Sequence, residues 1–347
     1  MTLVDPAAAP DPMSAGSTAR PTLPAARGEL SSAVCRALEG KPGALPVAEA
    51  LSADPHGEDL TIALHLLYEL HYRGFPGVRP ELEWDPELLR LRGALERRFR
   101  HGLRAQTRAG TDIDAVLADL LVERVPGDGV SHFLRDEGQW WHVREYFVHR
   151  SVYHLKEADP HAWVIPRLRG RAKAALVAVE FDEFGGGHAD RMHSRLYADL
   201  LDETGLSSAY LHYLDVVPAP AIAVVNLMSL FGLHRAHRGA LVGHFTAAEI
   251  STPPSAQRMV SALRRLGAGP AAIRFFAEHV EADAVHEQVM RRDVVGGLLA
   301  DEPELAGDVV FGVLATELLE SRLAEHLLGA WRSGRSSLLS PLPDDRP

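Results

Sequence analysis

The chain of 347 residues holds one cysteine, Cys35. A disulfide framework is thereby excluded, and a thiolate metal cluster nearly so. No run of about 18 apolar residues occurs, so no membrane span is expected. The first residues, MTLVDPAAAPDPMSAG, lack the basic segment and apolar stretch of a secretory signal, and a cytoplasmic compartment is expected. Basic charge is in deficit: 36 Lys and Arg stand against 47 Asp and Glu, a net charge of −11. A nucleic-acid partner, which would want a basic stripe, is not expected. Alternating strand patterns bounded by hairpin turns are missing, and so is any repeat of fixed period.

Helical signals fill most of the chain. Hydrophobic residues make up 46% of it, enough for a sizeable core. Apolar residues recur at three- and four-residue spacings from Asp59 to Phe75, with Gly74 and Pro76 as stops. Pro86 opens a second such segment behind Asp85, a plausible N-cap. Further helices are expected over 29–40, 112–125, 140–159, 188–204 and 309–334, with one near Pro166 and a buried apolar stretch over 219–252. Two more are expected over 255–266 and from Pro270 to Ala300. The expected fold class is all-α, antiparallel helices joined by short turns. Residues 1–28 and 336–347, polar or rich in Ala, Pro and Ser, are expected to be disordered tails. Residues 29–129 are expected to form an N-terminal helical extension.

Histidine is plentiful, at 18 residues, and many lie between His132 and His286. The stretch FFAEHVEADAVHE, residues 275–287, places polar groups on an apolar helix. At about 100° per residue, Asp283 falls near +40° and His286 near −20° of His279, on one narrow face. A second segment, VEFDEFGGGHADRMHSRL, contains Glu183, Asp190 and His193. If helical, Asp190 lies about 20° and His193 about 80° from Glu183, so all three can face one pocket. Asp190 and His193 repeat the spacing of Asp283 and His286. In helical-bundle di-metal proteins a carboxylate three residues before a histidine is supplied by each of two helices. A further carboxylate is wanted, and Glu157, after the preceding apolar helix, is the candidate. Glu157, Glu183, Asp190 and Asp283 would bring four negative charges into one core, and they could not all stay ionised unpaired. Two divalent cations would cancel them, with three neutral imidazoles completing the shells. Such mixed ligation suits non-haem iron or manganese better than structural zinc.

The segments DPHAWVIPRLRG, DEFGGGHADRMHSRLY and EHVEADAVHEQ resemble the iron-containing redox enzyme family, haem-oxygenase-like di-iron oxidases and oxygenases. The resemblance covers about residues 130–335 and implies a haem-oxygenase-like helical bundle there. Its ligand pattern runs over Glu157, then Glu183, Asp190 and His193, then His279, Asp283 and His286; Glu180 or Glu145 are alternatives for the first position. It implies two non-haem iron ions, dioxygen as co-substrate, and a small organic substrate of amine, amino-acid or fatty-acid type. It leaves room for an external electron donor and a homodimer. The competing expectations are a helical iron store or sensor without turnover, and a cofactor-free or haem-binding member of the fold.

Several other residues carry expectations. Gly185, Gly186 and Gly187, between two proposed ligands, read as a helix break or a locally unwound turn. His237 and His244 are expected to share a face near the substrate pocket. Glu249 is expected to cap or support a ligand histidine. Arg235 or Arg238 is expected to pair with a substrate carboxylate. Asn226, polar in an apolar run, is expected to hydrogen-bond across helices. His188 is displaced from the ligand face, and Trp140 and Trp141 are expected to pack.

Overall fold

The computed structural model describes residues 22–122 and 126–342. Helix α1 spans Glu29–Leu38, α2 Val47–Ser52, α3 Glu58–Glu69, α4 Pro86–Gln106 and α5 Ile113–Leu121. Then come α6 (Val130–Asp136), α7 (Trp140–His154), α8 (Asp159–Ala162), α9 (Gly170–Glu183) and α10 (His193–Glu203). The last five are α11 (Ala219–Leu233), α12 (Arg238–Leu266), α13 (Pro270–Val289), α14 (Gly296–Asp301) and α15 (Ala306–Trp331). No strand occurs among the described residues. The architecture is all-α. No single helix among them is long and apolar enough to cross a membrane.

Local chemistry explains the boundaries. Asp85 caps α4 by accepting hydrogen bonds from the backbone N–H of Glu87 and Leu88, with Pro86 in the first turn. α11 is buried along almost its whole length and forms the centre of the core. Asn226 on it donates to the Thr61 carbonyl (2.8 Å) and meets His65 Nδ1 (3.1 Å), tying α11 to α3. At His234–His237 the chain turns through 108° into α12.

α12 differs from the sequence expectation. Pro253 and Pro254 read as a break between two helices, yet α12 runs through both for 29 residues. Prolines remove backbone donors. Around the pair, Ser251 and Thr252 donate their hydroxyls to the Ala248 carbonyl, and Ser255 donates to that of Thr252. Packing against α13 on one side and α15 on the other holds the helix together. In the opposite sense, the helix expected from Pro270 to Ala300 changes to a π-turn at Met290–Val295 before α14.

α12 and α15 cross in close contact. A Cβ on Gly243 would lie 2.0 Å from the Val309 carbonyl oxygen, and one on Gly312 would lie 2.0 Å from that of Ala240. Only glycine permits this approach. The crossing sets His244 beside Thr316, one turn beyond Gly312.

One core cluster runs from Leu30 to Leu342, with residues of α1, α3 and α4 in the same cluster as those of α7 and α9 to α15. Both expected tails need correction. Residues 1–21 and 343–347 lie outside the described residues. Within 22–28, the Ala25 N–H donates to Asp215 Oδ1 (2.7 Å), and Arg27 binds Glu58 and the Leu214 carbonyl (both 2.6 Å). At the other end, Leu338 and Leu342 join the core, and Ser337 is buried against Glu145 and His149. Side-chain contacts anchor these segments, and composition alone does not reveal them.

Candidate metal centre

Each expected ligand can be followed to its element. Glu157 stands in the turn after α7. Two contacts from upstream helices pin that turn: Arg73 donates to the Leu155 carbonyl (3.0 Å), and Lys156 Nζ lies 2.9 Å from Glu69 Oε2. Lys156 and Glu69 are 1% and 0% exposed, and Tyr210 completes the pair by donating to Glu69 Oε1 (2.8 Å). Glu157 emerges buried, with Oε2 2.8 Å from His154 Nδ1.

Glu183 is the last residue of α9 and His193 the first of α10. Between them the helix stops. Gly185, Gly186 and Gly187 have φ of +70°, +62° and +84°, a conformation L side chains disfavour. A Cβ on Gly185 would also meet the backbone N of Met192 at 2.6 Å. The glycines fold the chain back on itself and return His193 to Glu183, with His193 Nδ1 2.9 Å from Glu183 Oε2. Asp190 is the expected ligand that the structure does not bring in. It lies exposed on a short 3₁₀ turn, Ala189–Arg191. Its expected position assumed one unbroken helix from Glu183 to His193, and the glycines remove that helix.

His279, Asp283 and His286 share the inner face of α13 and are 5%, 3% and 2% exposed. Opposite them α12 delivers Glu249, also buried. The side chains collect into two groups whose ligand-type atoms lie within 4.8 Å of one another. One holds Glu157, His193 and His279; the other holds Glu183, Glu249, Asp283 and His286. In the second, His286 Nδ1 lies 3.4 Å from Glu249, 3.6 Å from Glu183 Oε1 and 3.7 Å from Asp283. Glu183 joins the groups, one oxygen toward His193 and the other toward His286.

Hydrogen bonds on the far side of two rings orient them. His279 Nδ1 lies 2.7 Å from the Phe275 carbonyl oxygen, which only accepts, so Nδ1 carries a proton and Nε2 faces inward. His286 Nε2 lies 3.2 Å from Asp182 Oδ2, and the Nδ1 lone pair faces the acids. A carboxylate or carbonyl behind a ligand histidine sets ring and tautomer in this way.

The donor set fits a metal. His279 Nε2, His286 Nδ1, Glu249 Oε2 and Asp283 Oδ1 are all buried without a hydrogen-bond partner, and His193 Nδ1 is buried with only the Glu183 carboxylate beside it. Leaving even one such atom unsatisfied costs about 1–3 kcal/mol. Five converging in two adjoining groups mark a place for cations. Carboxylate and imidazole with no thiolate suit iron.

The electrostatics agree. Burial, then the charge of Glu249, raises Asp283 to a pKa of about 8. Burial, then Glu183, raises Glu249 well above the usual carboxylate range. In the other group burial opposes charge on His279, but the Glu157 carboxylate outweighs it and raises the imidazole to about 10. Burial likewise opposes charge on Glu157, and His154 holds it well below its ordinary value. Without a cation the groups balance their charge by taking up protons.

A cavity of about 500 Å³ reaches the centre. Its lining includes Glu157, Glu183, Glu249, His279 and Asp283, with His161, His244, Thr316 and several aromatic rings. Of the expected pocket residues, only His244 lines it. His237 sits in the turn before α12 beside Arg100, Arg235 is exposed, and Arg238 pairs with Glu302. The alternatives for the first carboxylate lie elsewhere. Glu145 accepts from Trp331 Nε1 (2.8 Å) and the Ser337 N–H (2.9 Å), while Glu180 is buried outside both groups. Glu249, expected only as a support, is the member that the spacing did not find. Its signal was an acid inside the apolar run HFTAAEI, with no motif around it.

Residues 144–321, just over half of the chain, match the model of a family described as iron-containing redox enzymes. Over 181 residues, 52% of this chain, it is 24% identical to a nitrosourea synthase of Streptomyces achromogenes subsp. streptozoticus. That match covers 38% of the relative, so the chain spans well under half the length of the curated relative it matches.

Proposed function

Because the chain belongs to the family of iron-containing redox enzymes, whose fold is haem-oxygenase-like, we propose that it is a non-haem di-iron oxidase or oxygenase. Its substrates are dioxygen and a small organic molecule of amine, amino-acid or fatty-acid type. The observation that carries this reading is the convergence of five buried ligand atoms, four of them without a hydrogen-bond partner, in two groups joined by Glu183. Glu157, His193 and His279 would hold one iron, and Glu183, Glu249, Asp283 and His286 the other. The four carboxylates balance two divalent cations, with Glu249 in the place foreseen for Asp190.

Bound iron would supply the redox chemistry with dioxygen. The chain's own residues do the rest. Phe275 and Asp182 fix the tautomers of His279 and His286. Lys156 and Arg73 hold the turn that aims Glu157. Phe245, Phe275 and Phe276 exclude water from the cavity and favour an apolar substrate body.

The test is iron content and oxygen uptake. Anaerobic loading with ferrous iron is expected to give about two irons per chain. His286→Ala is expected to lower that content while the far-ultraviolet dichroism stays unchanged. Full iron occupancy in the variant would overturn the ligand assignment. Iron binding without oxygen-dependent turnover of any amine, amino acid or fatty acid would leave an iron store or sensor.

A further inference from the structure

Outside the metal groups, the cavity wall carries one ion pair and two buried histidines. Arg150 and Glu320 pair through two parallel contacts of 2.8 and 2.6 Å, which commits both carboxylate oxygens and leaves Arg150 Nε as a buried donor without a partner. The histidines differ. His161 and His244 are each 1% exposed, their rings 5.3 Å apart. Both nitrogens of His161, and Nε2 of His244, have no hydrogen-bond partner. His161 stacks on Phe245 with ring centroids 4.1 Å apart and planes 13° from parallel, which fixes its orientation.

The proton positions on His244 follow from its neighbours. Thr316 Oγ1 lies 2.7 Å from the Gly312 carbonyl oxygen, so its one hydrogen is committed there. His244 Nδ1 lies 2.7 Å from the same Oγ1, which can only accept from it. Nδ1 therefore carries the imidazole proton and Nε2 is a bare lone pair. Burial lowers His244 to a pKa of about 4 and His161 well below its ordinary value, so both rings are neutral at physiological pH. A neutral His161 adds one donor and one acceptor.

We propose that His244 Nε2, with His161 beside it, forms the recognition site for the substrate's polar head, and that it selects a head bearing an N–H or O–H donor over an acceptor-only carboxylate. A hydroxyl, amide or amine satisfies the bare nitrogen. A carboxylate sets lone pair against lone pair and leaves His244 buried and unpaired. The selection originates in the close crossing of α12 and α15 at Gly243 and Gly312, which places Thr316 where it dictates the tautomer. The proposal rests on the reading of this cavity as the substrate pocket of an iron enzyme, and it narrows the substrate classes that reading admits.

Two probes of equal length separate the head groups: hexanamide, which donates, and hexanoate, which at neutral pH does not. Binding is measured by calorimetry on the iron-loaded protein under nitrogen, with iron content determined on the same samples. Hexanamide is expected to bind at least about tenfold more tightly than hexanoate. His244→Phe is expected to weaken hexanamide about tenfold and to leave hexanoate nearly unchanged. Thr316→Val removes the group that dictates the tautomer, frees Nε2 to carry the proton, and is expected to bring the two affinities together. Equal weakening of both probes by His244→Phe, no change in either, or binding of neither probe to the parent protein would overturn the proposal. A normal amide preference in protein that takes up no iron would instead overturn the di-iron reading and leave this one standing.

Discussion

Replacing Asp283 by asparagine tests the charge balance of the centre, because its two effects have opposite signs. Asp283 is 3% exposed and faces Glu249, and its pKa stands at about 8 against an ordinary 3.8. In the metal-free protein the fold favours the protonated acid, whereas the unfolded chain ionises it above pH 3.8. Stability is therefore fully present below about pH 4 and is lost progressively up to about pH 8. At 1.36 kcal/mol per pH unit, the loss is roughly 4 kcal/mol at pH 7. An asparagine side chain cannot ionise and avoids it. Allowing about 1–2 kcal/mol for imperfect hydrogen bonding of the amide leaves a gain near 2–3 kcal/mol. With an unfolding entropy of about 2.1 cal/mol/K per residue, 1 kcal/mol shifts a chain of 347 residues by about 1.4 °C, so the metal-free variant should melt roughly 3–4 °C above the parent at pH 7. At pH 4 only the cost of the amide remains, and the variant should melt about 1–3 °C below the parent. Ferrous iron reverses the order. A ligand at a thousandfold excess over its Kd adds about 4 kcal/mol, and the variant forfeits most of that. Scanning calorimetry with and without iron, at pH 4 and pH 7, measures all four quantities. A variant that melts below the parent without metal at pH 7, or whose advantage is the same at both pH values, would refute the reasoning.

Other expectations concern neighbouring residues. Glu249→Gln should lower iron content from about two per chain toward one, while Asp190→Asn should leave it unchanged, as read by elemental analysis. Asp182→Asn, which loosens the tautomer of His286, should weaken iron binding about 10–100-fold in a chelator competition and leave the urea midpoint in place. Glu69→Gln leaves the buried ammonium of Lys156 without its counter-charge and should cost about 3–5 kcal/mol in denaturant unfolding. Combining Glu69→Leu with Lys156→Met should recover most of that loss.

The helices were legible in the sequence wherever local signals act alone. Asp85 and Pro86 open α4, and the run around Asn226 is a buried helix. The face shared by His279, Asp283 and His286 follows from the pitch of one uninterrupted helix, and the structure keeps it. Prolines mislead at 253 and 254, because neighbouring helices and three hydroxyls sustain a helix that the local sequence would end. At 185–187 the glycines read as the break they are, and the error lay in the helical projection drawn across them, which places Asp190 inward. Glu249 was hidden for a third reason. It reaches the centre through the packing of α12 on α13, a long-range contact that no spacing within one segment encodes. The proton on His244 depends on Thr316, 72 positions away, and is legible only once α12 and α15 are seen to touch.

Lys156 and its partner also bear on how far the chain can be divided. The matched region opens at residue 144, but Glu69 and Arg73, which clasp the segment before Glu157, lie well upstream. A fragment cut to the matched boundaries would strip Lys156 of its counter-charge and of the Tyr72 ring that covers it, and let a carboxylate wander from its imidazole neighbours. Chimaeras between relatives meet the same constraint. Positions 69–73 and 155–157 have to be exchanged together, because the early helices act as a brace for the later ones.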